Sequence, residues 1–516
     1  MNKDHKAAVV WFKRDLRIVD HEPLDAAVRE GPVIPIYVVE PEYWAMEYTS
    51  GRQWLFLKDS ILSLDQALSE CGQPLWTAIG QVEEVFDRLH RRYQFQTLVS
   101  HQETGPDWTF QRDRRVKQWC KDRGVTWTEY RQHGVVRGLR ERQGWAKQWG
   151  ELMDRPQRSI PSRIEGVGSP PTPAAEVLQA VSITDESLVR SQSGGRSEGS
   201  ELLDSFLDER CETYRGGMSS PLTGEQVCSR ISTHLSVGTL GVREVWQRVC
   251  ERRDELKHDG GRSQALRSLK SFQSRLHWHC HFMQKRESEP RLECEELHRG
   301  FIGLREIEGA MTMEPFERFR TGTLGWPFVD ACLRCLSQTG WLNFRMRAML
   351  VSIASYHLWI DWRQTGALMA RWFTDFEAGI HWSQVQMQSG TTGINANRMY
   401  SPVKQSEDQD PQGIFIKRWV PELRNVPIEW IHQPWRMPLS MQRAVGCEMG
   451  LHYPAPIGDP AQLARVARMR FKAWIETHDL KPEAQRVLKA HGSRLRQVRP
   501  RYGKKVASSQ MALDLE

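Results

Sequence analysis

The sequence predicts two units of different class: an α/β N-terminal domain built on a parallel, Rossmann-like sheet, and an all-α C-terminal domain. About 130 N-terminal residues alternate β-rich apolar runs with helical patterns, whereas beyond Glu201 strand signals give way to helical periodicity rich in Trp, Arg and Leu. Between Arg155 and Gly199 the composition turns to Pro, Ser and Gly, as in GVGSPPTPAAE and RSQSGGRSEGS, and this separates the two patterns. With 516 residues the chain exceeds one ordinary core, since a domain takes roughly 100–200 residues.

The strands are read at Ala7–Phe12, Val33–Glu40, Pro74–Gly80, Thr97–Glu103 and Val125–Tyr130, where β-branched and aromatic residues cluster between turn formers. Helical patterns lie between them at Leu55–Glu70, Val82–Tyr93 and Trp108–Arg123. Strict alternation of this kind predicts right-handed crossovers and a sheet covered on both faces. No G-x-G-x-x-G follows the first strand, so this domain is not expected to hold the main redox cofactor. In the second half the helical runs are Gln264–Gln284, Gly325–Gln338 and Arg345–Trp362, and no internal repeat is found. The expected divisions are residues 1–135 for the α/β domain, 136–200 for a linker, 201–490 for the helical domain and 491–516 for a basic tail.

Hydrophobic residues make up 39% and charged residues 26%, the balance of a soluble globular protein. No apolar run reaches the roughly 18 residues needed to cross a bilayer, and the N-terminal MNKDHKAAVVWFKRDLR lacks the apolar core of a secretory signal. A cytoplasmic monomer is expected. The net charge of +7 is uneven, because 13 Lys/Arg stand against 5 Asp/Glu from Ala461 onward. That end suits a polyanion such as DNA, or is a solvated tail. Of the ten cysteines only Cys332 and Cys335 have C-x-x-C spacing, with no second pair, so reduced thiols are expected rather than a zinc or iron–sulfur site. In His277-Trp278-His279-Cys280-His281 only His277 and His281 share a helical face, and no metal is assigned.

Several motifs point to one family. The N-terminal Trp11-Phe12-Lys13-Arg14-Asp15-Leu16-Arg17, followed by Asp20, opens the chain. Cys228-Ser229-Arg230-Ile231-Ser232 precedes His234, Leu235, Ser236 and Gly238. Gly340-Trp341-Leu342-Asn343-Phe344-Arg345-Met346-Arg347 leads a helix toward Asp361-Trp362-Arg363. Asp375-Phe376-Glu377-Ala378-Gly379-Ile380-His381 continues through QMQSGTTGIN to Arg398-Met399-Tyr400-Ser401-Pro402, and FIKRWVPEL closes the series at Phe415–Leu423. In type and order these segments resemble the DNA photolyase and cryptochrome flavoproteins. The resemblance implies a U-shaped FAD in the helical domain, and it allows a second antenna chromophore (folate, deazaflavin or flavin) that the N-terminal residues do not identify.

By resemblance, Ser229 and Ser232 are the pyrophosphate ligands, set among Tyr214, Cys228, Arg230 and Ile231, with Phe272 also at the cofactor. Hydroxyls and amides at a helix start bind phosphate, although S-R-I-S alone is an ordinary helix cap. Cys228 stands where the family usually has Thr. Arg347 and Asp375 are implied to pair beside the flavin ring, where a guanidinium favours the reduced anionic form, and Glu377 matches an acidic position facing FAD. A structural salt bridge between packed helices is the plainer reading of that pair. His381 matches the position facing flavin N5, usually Asn or Asp. A pKa near neutrality is expected for it, so that the ring either donates to N5 or, as imidazolium, supplies a proton; a histidine turned away and bonded within the helical core is the alternative.

The chain also departs from the family. Trp278 matches the first lesion-stacking Trp, but Arg275 replaces a common Glu, Phe344 replaces the usual Asn with Asn343 one residue earlier, and Met387 replaces the second stacking Trp. Trp362 matches the middle of the usual electron-transfer triad, while Phe319 and Val385 occupy its outer and inner positions. Another route through Trp341, Trp359, Trp372 or Trp382 is open. The expected catalytic set is Trp278, Arg275, Asn343, Trp341 and Trp362. The expected activity is a blue-light-driven photolyase, a lyase that reverts pyrimidine dimers in UV-damaged DNA by electron transfer from reduced flavin. A cryptochrome-like photoreceptor with a signalling partner is the alternative. A light-independent flavin oxidoreductase is disfavoured, because no nicotinamide fingerprint is present.

Overall fold

The computed structural model describes residues 7–139, 141–181, 183, 192–258, 260, 263–307, 310–394 and 399–492. The N-terminal domain is a five-stranded parallel sheet of β1 (Ala8–Phe12), β2 (Val33–Val39), β3 (Trp76–Ile79), β4 (Thr97–His101) and β5 (Thr126–Tyr130), in the order β3-β2-β1-β4-β5. Its register pairs Ala8 with Val33 on one side of β1 and with Thr97 on the other. Helices α1 (Glu22–Glu30), α2 (Gly51–Glu70), α3 (Val82–Tyr93) and α4 (Asp107–Arg123) connect the strands. Successive side chains of β1 serve opposite cores: Ala8, Val10 and Phe12 pack with Leu24 and Ile61, whereas Val9 and Trp11 pack with Phe86 and Val116. This two-faced burial explains the continuous apolar strands.

Three strands end earlier than their composition predicts, β3 by one residue at Ile79. β2 stops at Val39 because Pro41 starts a short helix. β4 stops at His101, and beyond it the Glu103 carboxylate turns to Arg112 at 2.5 Å.

The segment between the domains is more structured than its composition predicts. It carries α5 (Trp145–Met153) and α6 (Ala174–Gln179), and Val33 N donates to Glu165 O at 2.8 Å. Trp149 of α5 packs edge-on against Trp246 at 4.8 Å.

The C-terminal half is helical. The elements used below are α7 (Cys211–Gly217), α8 (Ser232–Val237), α9 (Ser263–Ser288), α10 (Phe344–Ser352), α11 (Trp362–Trp372), α12 (Ala378–Ser389) and α13 (Lys481–His491). The helix expected at Arg345–Trp362 is broken, since a π turn at Ile353–His357 follows α10 and Trp359 adopts a left-handed φ of 57°. Asp361 then caps α11, accepting from Arg363 N at 2.8 Å.

The domains meet where the loop after β1 rests on the end of α8. Leu16 N donates to Val237 O at 3.1 Å, and Arg17 Nη1 to Gly238 O at 2.9 Å. Gly238 has a φ of 77°, and a Cβ there would lie 2.3 Å from Arg14 O, so only glycine permits this approach. No helix among the described residues is long and apolar enough to cross a membrane. The basic tail, apart from His491 and Gly492, lies outside the described residues, as does Arg398.

Candidate functional site

The helical domain holds a cavity of about 350 Å³, within the roughly 300–1,000 Å³ range of small-molecule sites. Residues from α7, the loop before α8, α9, α10, α11 and α12 line it, so segments far apart in sequence converge.

The floor is buried and charged. Arg347 reaches from α10 and grips Asp375 with both nitrogens, each 2.9 Å from a carboxylate oxygen. Burial disfavours the Asp375 charge, but Arg347 and a Ser232 hydrogen bond outweigh it and hold the carboxyl below the usual range. Two residues on, Glu377 is also buried, and burial raises its pKa against the partial opposition of Arg14, whose Nη2 is 3.2 Å from Oε2. His381 lines the cavity from the first turn of α12, and its Nε2 stands 2.9 Å from Gly366 O. A carbonyl can only accept, so Nε2 carries the proton and Nδ1 keeps its lone pair. Burial lowers the His381 pKa to about 4, the Gly366 carbonyl opposing in part. This corrects the near-neutral titration expected from the sequence: the ring is neutral, with Nε2–H donated to the backbone of α11, and is not a proton source near neutral pH.

At another wall Tyr214, Cys228, Ser229, Ile231, Ser232 and Phe272 come together. Burial pushes the Tyr214 hydroxyl to about 12 despite a hydrogen bond from Arg275. The Cys228 thiol rises to about 11 through burial, against the nearby Arg230 and Arg210 guanidinium groups, and so stays protonated. Arg230 is not among the lining residues. Its backbone is left-handed at φ 63°, and its guanidinium lies 4.0 Å from the ring centroid of Trp341, which does line the cavity.

The rim is aromatic and cationic. Trp278, Phe344, Arg275 and Arg345 all line the cavity, and Phe344 is 40% exposed. Trp341 lines it as well, but Met387 does not. Asn343 is a lining residue whose amide is already committed, donating to Met218 O at 3.1 Å and Ser219 O at 2.6 Å. Trp362 is fully buried outside the cavity, with its ring 5.9 Å from Trp382, and Trp382 is 4.9 Å from His381. Gly366 makes room for this contact, since a Cβ there would lie 2.4 Å from the Trp382 ring. Sequence reasoning named Trp382 only among several alternatives, and it did not single out Gln384, Gln388 or the reach of Arg14.

Glu377 Oε1, Asn343 Oδ1 and Gln384 Oε1 are buried atoms of lining residues with no hydrogen-bond partner among the described residues. Buried acceptors left open in this way call for N–H or O–H donors on a ligand. The imide and amine edges of a flavin and an adenine supply such donors, and the arginines and serines suit a pyrophosphate, so the residues present fit FAD. A second crevice, of about 80 Å³, lies at the carboxyl ends of β1 and β2, beside Glu103 beyond the end of β4, where open α/β sheets bind ligands. Arg112 crosses it, held by Glu40 at 2.9 Å and by Glu103.

Among the described residues, the cluster with metal-ligand geometry is Asp15, His21 and His101. Asp15 Oδ2 is 2.8 Å from each imidazole, and His21 Nδ1 accepts from Leu24 N, so hydrogen bonds account for the grouping.

Comparison with known proteins adds the following. Residues 8–141 match the family described as DNA photolyase, and residues 272–473 match the FAD binding domain of DNA photolyase. Cryptochrome-2 of Arabidopsis thaliana is 28% identical over 490 residues, covering 89% of this chain and 77% of the relative. The deoxyribodipyrimidine photo-lyase of Vibrio cholerae is 28% identical over 495 residues, covering 90% of this chain and 99% of the relative. The crystal structure of a class III photolyase from Agrobacterium tumefaciens superposes with a TM-score of 0.80 at 24% identity, over 92% of this chain and 99% of that one, a likeness of fold.

Proposed function

Because the chain belongs to the DNA photolyase and cryptochrome flavoprotein superfamily, we propose that it is a blue-light-driven, FAD-dependent photolyase that reverts UV-induced pyrimidine dimers in DNA. The observation that carries this reading is the layering of the cavity, with a buried charged floor under an aromatic, cationic rim. Such a shape suits a cofactor held deep and an unstacked base received at the mouth.

Bound there, FAD would supply the light-absorbing group and the transferred electron. Ser229 would hold the pyrophosphate with neighbouring backbone amides. Ser232 donates its hydroxyl to Asp375, so its part at the pyrophosphate would fall to its backbone amide at the start of α8. Arg347, fixed in direction by Asp375, would place a permanent positive charge beside the ring and favour its reduced, anionic forms. His381 Nδ1 would accept from a protonated ring nitrogen and could not protonate it. At the rim Trp278 and Phe344 offer aromatic faces to an extruded base, so Phe344 takes the part that Met387 cannot. Arg275, tied to Tyr214, would meet a carbonyl or a phosphate where a carboxylate is usual.

A second chromophore belongs to the same reading, although a tricyclic ring could enter the crevice of the α/β domain only if the Arg112 network moved. Those same departures, Arg275 and Met387, support the alternative of a cryptochrome-like photoreceptor. Lesion recognition separates the two. The photolyase reading expects an oligonucleotide with one pyrimidine dimer to bind more tightly than undamaged DNA, and Trp278→Ala to weaken that preference roughly tenfold, the scale of one base–aromatic stack. Equal affinity for both oligonucleotides would favour the photoreceptor.

A further inference from the structure

One side chain of the α/β domain reaches the wall of the main cavity. Arg14 extends from the loop after β1, its Nε donating to Ser236 O at 2.8 Å and its Nη2 to Phe376 O at 3.0 Å. The same Nη2 faces Glu377 Oε2 at 3.2 Å. The Arg14 carbonyl accepts from Gln132 Nε2 at 2.7 Å, so backbone and side chain are both held. Phe376 lines both the main cavity and the smaller crevice of the α/β domain, forming a partition between them, and Tyr48 packs on it at 5.3 Å. The Asp375–Glu377 segment is thus clamped from two domains, by Arg347 at one end and Arg14 at the other. Beyond the clamp, Glu377 Oε1 is buried, lacks a partner among the described residues and belongs to the cavity lining.

We infer that Arg14 is a positioning residue for the cofactor site: by engaging Oε2 of Glu377 it presents Oε1 to the cavity as a fixed, anionic acceptor for an N–H donor on the edge of a flavin ring. The α/β domain is then part of the cofactor site rather than a neighbour of it. A buried carboxylate keeps its charge only with a cation at hand, and an orienting partner one step behind a ligand-contacting group commonly sets that group's affinity. Without Arg14, Glu377 would take up a proton, and the acceptor would become a donor.

This inference rests on the flavin reading, and the test separates the two. FAD affinity, the absorption bands of bound flavin and its midpoint potential are compared among the parent, Arg14→Lys, Arg14→Gln, Glu377→Gln and the Arg14→Gln/Glu377→Gln double variant, with far-UV circular dichroism as the folding control. Arg14→Gln and Glu377→Gln should shift the potential in the same direction and weaken FAD binding about tenfold, the scale of a lost charge-assisted hydrogen bond. The double variant should go no further than Glu377→Gln, and Arg14→Lys should recover most of the parent's values. If Arg14→Gln does not fold, a smaller shift in Arg14→Lys carries the same test. A parent that binds no FAD overturns the flavin reading together with this inference. A parent-like potential in the Arg14 variants beside a shifted one in Glu377→Gln overturns the inference alone.

Discussion

His381 Nε2 and the Gly366 carbonyl oxygen stand 2.9 Å apart, joining the first turn of α12 to the middle of α11 at the cavity wall and leaving Nδ1 as the unprotonated nitrogen of a neutral ring. With its pKa lowered to about 4 by burial, His381 does not titrate near neutrality. The spectrum of the photoreduced flavin should therefore show no imidazole titration between about pH 6 and 9. His381→Asn should alter that spectrum at every pH, because an amide can donate where Nδ1 only accepts. A titration near pH 6.5 in the parent that vanishes in His381→Asn would contradict the assigned tautomer.

Buried neutral histidines also predict acid lability. Burial lowers His234, His357 and His381 to about 4, whereas an unfolded histidine titrates near 6.5. Between these values the unfolded chain binds more protons, so stability is full above about pH 6.5 and falls as the pH drops toward 4. Each of the three contributes on the order of 2–3 kcal/mol to that loss. Chemical denaturation at pH 7 and pH 4.5 checks it, and equal midpoints would contradict it.

Much of this architecture is legible in the sequence, because each layer leaves a local mark. The five strands follow from β-branched runs, and the break between domains follows from Pro, Ser and Gly. Motif order brings Ser229, Arg347, Asp375 and His381 to one cavity. What escapes is set by tertiary contact. The left-handed backbone at Arg230, which turns its side chain onto Trp341, has no local signature. Neither does the reach of Arg14 to Glu377 across the domain boundary. The lowered His381 pKa escapes because it comes from burial, which elements distant in the sequence impose and which has no local signature.

The serine wall makes a graded prediction. Ser229→Ala should lower FAD occupancy through the phosphate contact alone. Ser232→Ala should lower it and also raise the Asp375 pKa, since that carboxylate loses a hydrogen bond. Flavin content after gel filtration measures both, and a double variant with the parent's content would refute the assigned phosphate wall.

The rings of His381, Trp382 and Trp362 stand in series from the cavity lining, at centroid separations of 4.9 and 5.9 Å, and Val385 leaves the usual inner position without an oxidisable ring. Trp382→Phe and Trp362→Phe should each slow light-driven bleaching of the flavin bands about tenfold or more, at unchanged FAD content. Bleaching at the parent's rate in both variants would exclude this route.

The central claim is light-driven repair, and the direct measurement is the number of pyrimidine dimers left in UV-irradiated DNA after incubation with the reduced, FAD-loaded protein, under blue light and in a parallel dark sample. Trp278, Phe344 and Arg275 at the rim, above the Arg347–Asp375 pair, predict that dimers disappear in the light and persist in the dark. Equal dimer counts in the two samples, with flavin bound and reduced throughout, would contradict it.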